Sequence, residues 1–355
     1  MTSITKTRGA LLAGCSVLFL GYLAYLVGLL HFELMRSDVL AYWKESFDWS
    51  TPFSTWWVPG YPWLIALVRS ATFGILPPIA VMQAISGVSF LAAVLIIFAI
   101  GQDVQPRSAI HVALLFALYP FVGLTYAVYP YADSMAIALL VLSFFLYLRE
   151  KWGALAFVLA ATVLTHKATW YFVFPFVCMV FVRHRQSRKV LPLFAVPLLV
   201  LIIAGAFYRH DLFWFMRWST ENLLASRSSL PVLDGLIGPF LGGGAAKILK
   251  GILVLIVFFS ACLMLWYCYR RRLWLGVVVS CGIVLMGVTI NHYEIWALVR
   301  FSKVFCAALP FLLAADPAPA WMARILQAKA FVVILLLCLA SNLLYGYYMA
   351  KIFFM

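Results

Sequence analysis

Continuous apolar runs of about 20 residues recur along almost the whole length of this 355-residue chain. At 1.5 Å per residue, a helix of that length spans the roughly 30 Å of hydrocarbon in a bilayer. Inside lipid every backbone N–H and C=O must find a partner within the protein, so only helices or a closed barrel can cross. The runs are unbroken rather than alternating, which selects helices. Composition agrees. Charged residues make up 11% of the chain and hydrophobic ones 66%, whereas a soluble domain carries about 25% charge. Mean hydropathy is +1.03. The expected fold is therefore an all-α polytopic membrane protein, one transmembrane domain over residues 1–355 with about 11 helices. The runs lie at 9–30, 79–100, 108–127, 133–149, 152–165, 168–183, 190–207, 251–269, 273–290, 303–315 and 328–349. Segments 152–165 and 303–315 are short for a full crossing. Segment 61–78, with Pro62 near one end and Pro77-Pro78 at the other, reads equally as a re-entrant or interfacial helix.

The net charge of +14 does not mark a nucleic-acid binder. The basic residues are scattered through short loops, where they set orientation. With the N-terminus inside, the inner loops hold Lys6, Arg8, Arg107, Arg149, Lys151, Arg183, Arg185, Arg188, Lys189, Arg270, Arg271, Arg272, Arg324 and Lys329, against the acids Asp103, Glu150 and Asp316. Two long segments, 31–78 and 208–250, then fall outside, and both are rich in Trp and Tyr. Three polar clusters fall at outer span ends: Tyr129–Ser134, Thr165–Thr169 and Asn291–Lys303. The seven cysteines show no CxxC pair or metal spacing and read as small buried hydrophobes. Leu12-Ala13-Gly14-Cys15 looks like a lipoprotein processing site, but the apolar run continues to Leu30, so a retained span is expected. Gly242-Gly243-Gly244 lacks the Lys-Ser/Thr of a phosphate loop and reads as a turn.

Ionisable residues gather just after the first span: Glu33, Arg36, Asp38, Lys44, Glu45 and Asp48. Such groups at a membrane boundary often serve function, although a wet loop also tolerates them. Asp38 and Tyr42 are four apart, so a short helix places them on one face. Ser37 or Asp38 can equally cap that helix. Trp43, Trp49, Trp56, Trp57 and Trp63, with Trp214 and Trp218 later, suit sugar stacking but fit an interfacial aromatic belt better.

The stretch Asp38-Val-Leu-Ala-Tyr42-Trp43, followed by Trp57-Val-Pro59-Gly60-Tyr61-Pro62-Trp63-Leu64-Ile65, resembles the first outer loop of the GT-C superfamily. Its members are polytopic glycosyltransferases that use lipid-phosphate sugar donors, and the nearest branch resembles bacterial relatives of the GPI mannosyltransferases. Tyr129-Pro-Tyr-Ala-Asp133-Ser134 is similar to that family's opening of a span. Thr165-His166-Lys167 sits where relatives carry Thr-Arg. His210-Asp211 with Trp218 and Pro231 is similar to the second outer loop, and Arg300-Phe301 leading to Leu309–Ala314 to a late segment. The chain departs from the pattern at Ser37, where relatives have Trp-Asp before the loop acid, and at His166-Lys167.

The resemblance implies a single-sugar transfer from a polyprenyl-phosphate donor at the outer face of a bacterial plasma membrane, with Asp38 as base. Tyr42, Asp133, His166, Lys167 and Arg300 are then substrate-binding candidates, the last three against phosphate. Each has a plainer alternative: Lys167 and Arg300 can snorkel into water, His166 can be a satisfied polar residue, and Asp133-Ser134 can cap a helix. Some relatives hold a divalent cation on first-loop acids, which here means Asp38 with Glu45 or Asp48. No His-Glu-x-x-His or paired histidine spacing points to a metal. A transporter or flippase for a lipid-linked substrate, or a glycan ligase, remains the competing reading.

Overall fold

The computed structural model describes residues 2–31, 34, 38–47, 59–184, 188, 191–210, 236–237, 240, 245–289, 296–315 and 328–352. In chain order its helices are α1 (Thr2–Ala24, continued by a π-helical turn, Tyr25–Leu29), α2 (Asp38–Glu45), α3 (Gly60–Ala71), α4 (Pro78–Val104), α5 (Ala109–Ala117), α6 (Thr125–Val128), α7 (Ala132–Leu148) and α8 (Trp152–Thr165). They continue with α9 (Trp170–Arg183), α10 (Leu191–Arg209), α11 (Ala245–Arg270), α12 (Trp274–Thr289), α13 (Trp296–Ser302), α14 (Phe305–Ala314) and α15 (Ala328–Ile352).

Among the described residues, four helices are long and apolar enough to cross a membrane: Thr5–Leu29, Pro78–Val104, Ile248–Arg270 and Ala330–Ala350. The pair α13 and α14 makes a fifth if counted as one span. Other expected spans correspond to apolar helices of 10–17 residues, among them α7, α8 and α12. The described residues thus form only helices and turns, and the chain is membrane-embedded. α1 shows why. Its buried side chains, Leu11, Cys15, Phe19, Tyr22 and Leu26, recur every three or four residues, yet Val17, Leu20 and Leu29 on its exposed side are just as apolar. A helix that is apolar all round and buried on one stripe belongs in lipid.

The chain divides into two compact units. The first comprises Met1–Phe47, Tyr61–Phe145 and Cys306–Met355; the second comprises Asp48–Gly60 and Leu146–Phe305.

In the first unit α1 packs on α4, with Phe19 stacked on Phe90 at 6.2 Å and seated against Gly87. α4 and α5 form a close hairpin, where a Cβ on Gly101 would lie 2.7 Å from the Ala109 backbone. The expected span 108–127 is corrected here. Helix α5 stops at Ala117, and the chain resumes as helix only at Thr125. Pro120 cannot donate a backbone hydrogen bond, Phe121 takes a left-handed φ of 63°, and Gly123 lies so close to Tyr119 that a Cβ would meet its N at 2.5 Å. A break inside an apolar helix exposes polar backbone, which lipid cannot satisfy. Asn342 of α15 does so instead. Its amide donates to the carbonyls of Leu118 (3.2 Å) and Tyr119 (3.0 Å), and its oxygen accepts from the Leu124 N–H (2.9 Å). Ser341 accepts from the Phe121 N–H at 3.0 Å. Tyr22 completes the network, donating to the Asn342 carbonyl at 2.6 Å and lying 2.7 Å from the Thr125 hydroxyl.

The second unit is held differently. α8 packs on α10, α9 on α12, and α11 on α12 and α13. Gly282 of α12 faces the Phe172 ring of α9, where a Cβ would lie 2.5 Å from the ring. Phe172 stacks in turn on Phe301 at 6.0 Å. The expected span 303–315, already short for a full crossing, falls on α14, and the separate short helix α13 precedes it.

Candidate functional site

Asp38 opens α2, the short helix that its spacing with Tyr42 anticipates; its side chain lies outside the described residues. Tyr42 is buried, and its ring meets Tyr61 edge-on at 5.0 Å. The Tyr61 hydroxyl donates to the Pro130 carbonyl at 2.9 Å. Burial pushes the Tyr61 phenol well above the ordinary tyrosine range; the Ser86 hydroxyl opposes this and the Asp133 carboxylate adds to it. Asp133 itself is 1% exposed in the first turn of α7, where the positive helix end favours a carboxylate. Ser134 does not cap α7. Its hydroxyl donates back to the Tyr126 carbonyl at 2.6 Å. Three segments singled out in the sequence, 38–43, 61–65 and 129–134, therefore meet around one phenol in the first unit.

The second unit gathers the basic candidates. α8 ends at Thr165 because the following residues take its last carbonyls, as a helix terminus requires. Thr165 donates to Ala161 at 2.7 Å, Thr169 to Thr162 at 2.9 Å, and the Trp170 indole to Val163 at 2.9 Å. His166 Nδ1 accepts from the Ala168 N–H at 3.0 Å, capping the short 3-10 turn Lys167–Thr169. That bond leaves Nε2 as the N–H of a neutral ring. The His166 ring lies 5.2 Å from that of Phe301, so the turn carrying Lys167 packs beside the helix carrying Arg300. Both Lys167 and Arg300 are half-buried. Gly60, from the first-loop motif, backs onto this same corner, where a Cβ would lie 2.5 Å from the Leu164 carbonyl oxygen.

Lys303 is only 2% exposed at the break after α13. The sequence marked it merely as the end of a polar cluster; a basic residue inside an apolar segment was the available signal. Tyr61 and Asn342 were not singled out as organising residues either. Among the described residues no group of three or more His, Cys, Asp or Glu is placed to hold a metal ion. Of the acids the resemblance offers for a cation, Glu45 is buried on α2, while the Asp38 side chain and Asp48 lie outside the described residues. The same holds for Ser37, Trp49, Trp56, Trp57, Asp211, Trp214, Trp218, Pro231, Gly242–Gly244 and Asn291. No family model, curated protein or solved structure matches this chain.

Proposed function

We propose that this chain is a membrane glycosyltransferase of the GT-C type, moving a single sugar, such as mannose, from a polyprenyl-phosphate donor to a lipid, glycan or protein acceptor. The observation that supports this best is the meeting around Tyr61 of the three first-unit segments on which the resemblance rests. In the reaction, the Asp38 carboxylate takes the proton of the acceptor hydroxyl. The acceptor oxygen attacks the anomeric carbon, the bond from that carbon to the phosphate oxygen breaks, and the phosphate leaves with the electron pair. One displacement inverts the anomeric centre. The leaving phosphate gains negative charge, and the resemblance assigns the second unit's Lys167, Arg300 and His166 Nε2–H to counter it. In this reading the shorter apolar helices bring the crossings to about 11, in a bacterial plasma membrane with the N-terminus cytoplasmic.

Asp38→Asn and Asp38→Ala test the proposal. Each is expected to lower sugar transfer by roughly 10²–10⁴-fold, the usual worth of a positioned base, with unchanged membrane levels. Full activity in both variants removes the base assignment. Mass analysis of the product separates transfer of one sugar from ligation of a whole glycan.

The transporter reading draws on the broken segment after α5, since discontinuous helices line many transporter sites. Here the break carries no charged residue from Leu118 to Thr125, and Asn342 closes it. Counterflow of a lipid-linked substrate in proteoliposomes, with no glycosidic product, favours transport.

A further inference from the structure

Within the first unit, a cleft of about 560 Å³ opens between the end of α2, the end of α3 and the start of α4, lined by Trp43, Phe47, Arg69 and the turn that follows. We propose that it binds the phosphodiester group of an anionic phospholipid from the surrounding bilayer. The inference rests on the membrane-embedded fold and is independent of sugar transfer.

Arg69 sits in the last turn of α3, where a cation ordinarily complements the helix's carbonyl end. Three of those carbonyls are already taken. The Arg69 carbonyl accepts from the Gly74 N–H at 2.9 Å, Val68 from the Thr72 N–H at 3.0 Å and hydroxyl at 2.9 Å, and Ser70 from the Phe73 N–H at 3.1 Å. Phe73 and Gly74, at φ 51° and 70°, turn the chain in the left-handed region. The guanidinium is left for another purpose. Its carbon lies 4.0 Å from the Phe47 ring centroid and 5.7 Å from that of Trp43. These rings hold a cation, but they accept none of its five N–H bonds in the ordinary sense. Among the described residues, the buried Nη1 atom has no hydrogen-bond partner. With no carboxylate partner among the described residues the guanidinium keeps its full charge, and an anionic oxygen in the cleft meets that charge from the accessible side of the half-buried residue.

The opposite wall supplies a second attraction. α4 is a 27-residue helix that starts at Pro78, with Pro77 as its cap. Its positive end borders the cleft; Pro77 and Pro78 carry no N–H and the Ala80 and Val81 N–H groups go to the Pro77 carbonyl, so the helix contributes its dipole rather than hydrogen bonds. Depth identifies the source. α4 is one of the four membrane-crossing candidates, so its first residue lies where hydrocarbon gives way to headgroups. Beside the cleft, Phe73 is 89% and Ile75 80% exposed; acyl chains cover such side chains and water does not.

Charge identifies the headgroup. One guanidinium and a helix end match the single charge of a phosphodiester better than the nearly double charge of a phosphomonoester. Apart from Arg69, Ser70 and the Trp43 indole, the lining offers no side chain that hydrogen-bonds. Trp43 is the one lining ring that also suits a sugar, so competition with a polyprenyl phosphate is the arm of the test that separates this cleft from a donor site.

The test is titration of the purified full chain in detergent with phosphatidylglycerol or phosphatidylcholine, read by native mass spectrometry. Wild type is expected to hold one phosphatidylglycerol about fivefold more tightly than phosphatidylcholine, equivalent to about 1 kcal/mol for one basic group at a lipid surface. Arg69→Gln should abolish that preference. Ser70 is exposed at the rim, so Ser70→Asp should abolish it with Arg69 intact, while Ser70→Asn should keep it. Unchanged preference in Ser70→Asp, or in a folded Arg69→Gln, overturns the proposal. Displacement of phosphatidylglycerol by an equal amount of a polyprenyl phosphate overturns the assigned source.

Discussion

The two units solve the same problem, holding apolar helices together in lipid, with different additions to a shared base of close glycine and aromatic contacts. The first relies on polar links distant in sequence: Tyr22, Ser341 and Asn342 around the broken segment, and Tyr61 to Pro130. The second relies on close contact of small and aromatic residues: Gly282 under Phe172, Phe172 on Phe301, and Phe301 beside His166. Water no longer drives helices together inside a bilayer, so both packing and hydrogen bonds must carry weight. The difference follows from continuity. A broken helix needs donors and acceptors from elsewhere, whereas intact helices need only fit. Directional links tolerate little chemical change; packing tolerates any side chain of the right shape.

Four substitutions would break or sharpen this contrast. The largest effect is expected from Phe301→Ala, at about 3–5 kcal/mol, because it removes the ring shared by Phe172 and His166. Phe301→Leu should recover much of that loss, as shape-based holding requires. Denaturation in mild detergent measures both. Asn342→Leu comes next, at roughly 2–4 kcal/mol, since the near-isosteric apolar side chain leaves two buried backbone groups, the Leu118 carbonyl and the Leu124 N–H, unsatisfied. If Asn342→Leu is neutral while Phe301→Ala is not, the polar account of the first unit fails. Gly282→Ala should cost about 1–3 kcal/mol by overpacking against Phe172, and Phe172→Leu in the same chain should restore part of it.

Tyr61→Phe is the smallest, at about 1 kcal/mol for one hydrogen bond near neutral pH. Its pH dependence has a definite sign. The folded phenol titrates above its ordinary value of about 10, chiefly through burial. The stabilisation is therefore complete below pH 10 and is lost as pH rises through the folded value. The gap between wild type and Tyr61→Phe should narrow above about pH 10, and a constant gap contradicts the burial of that hydroxyl.

Much of the fold was legible because bilayer crossing imposes length and apolarity. Segment 152–165 coincides with α8, and 79–100 and 328–349 fall within α4 and α15. The break in 108–127 was present in the sequence as Pro120 and Gly123, but apolar neighbours on both sides carried the run across them. What makes the break tolerable, Asn342, lies in another helix, and no local pattern links the two. The candidate site shows the same division. The helix that places Asp38 and Tyr42 four residues apart was readable from spacing. The partnership of Tyr42 with Tyr61, or of His166 with Phe301, depends on tertiary contact. Arg69 drew no notice because one arginine at a helix end is ordinary; its distinction lies in having its carbonyls already served by Thr72, Phe73 and Gly74.

Asn342 also bears on how the protein is made. Leu124 leaves the ribosome 218 residues before the side chain that will accept its N–H. Until then the kinked segment must wait at a wetter level of the membrane, in the translocation channel, or against a helper protein. A chain truncated before α15 would keep every earlier helix and still present bare backbone to lipid, a mark that membrane proteases can read. For this unit, the partners of the break are complete only once α15 has been made.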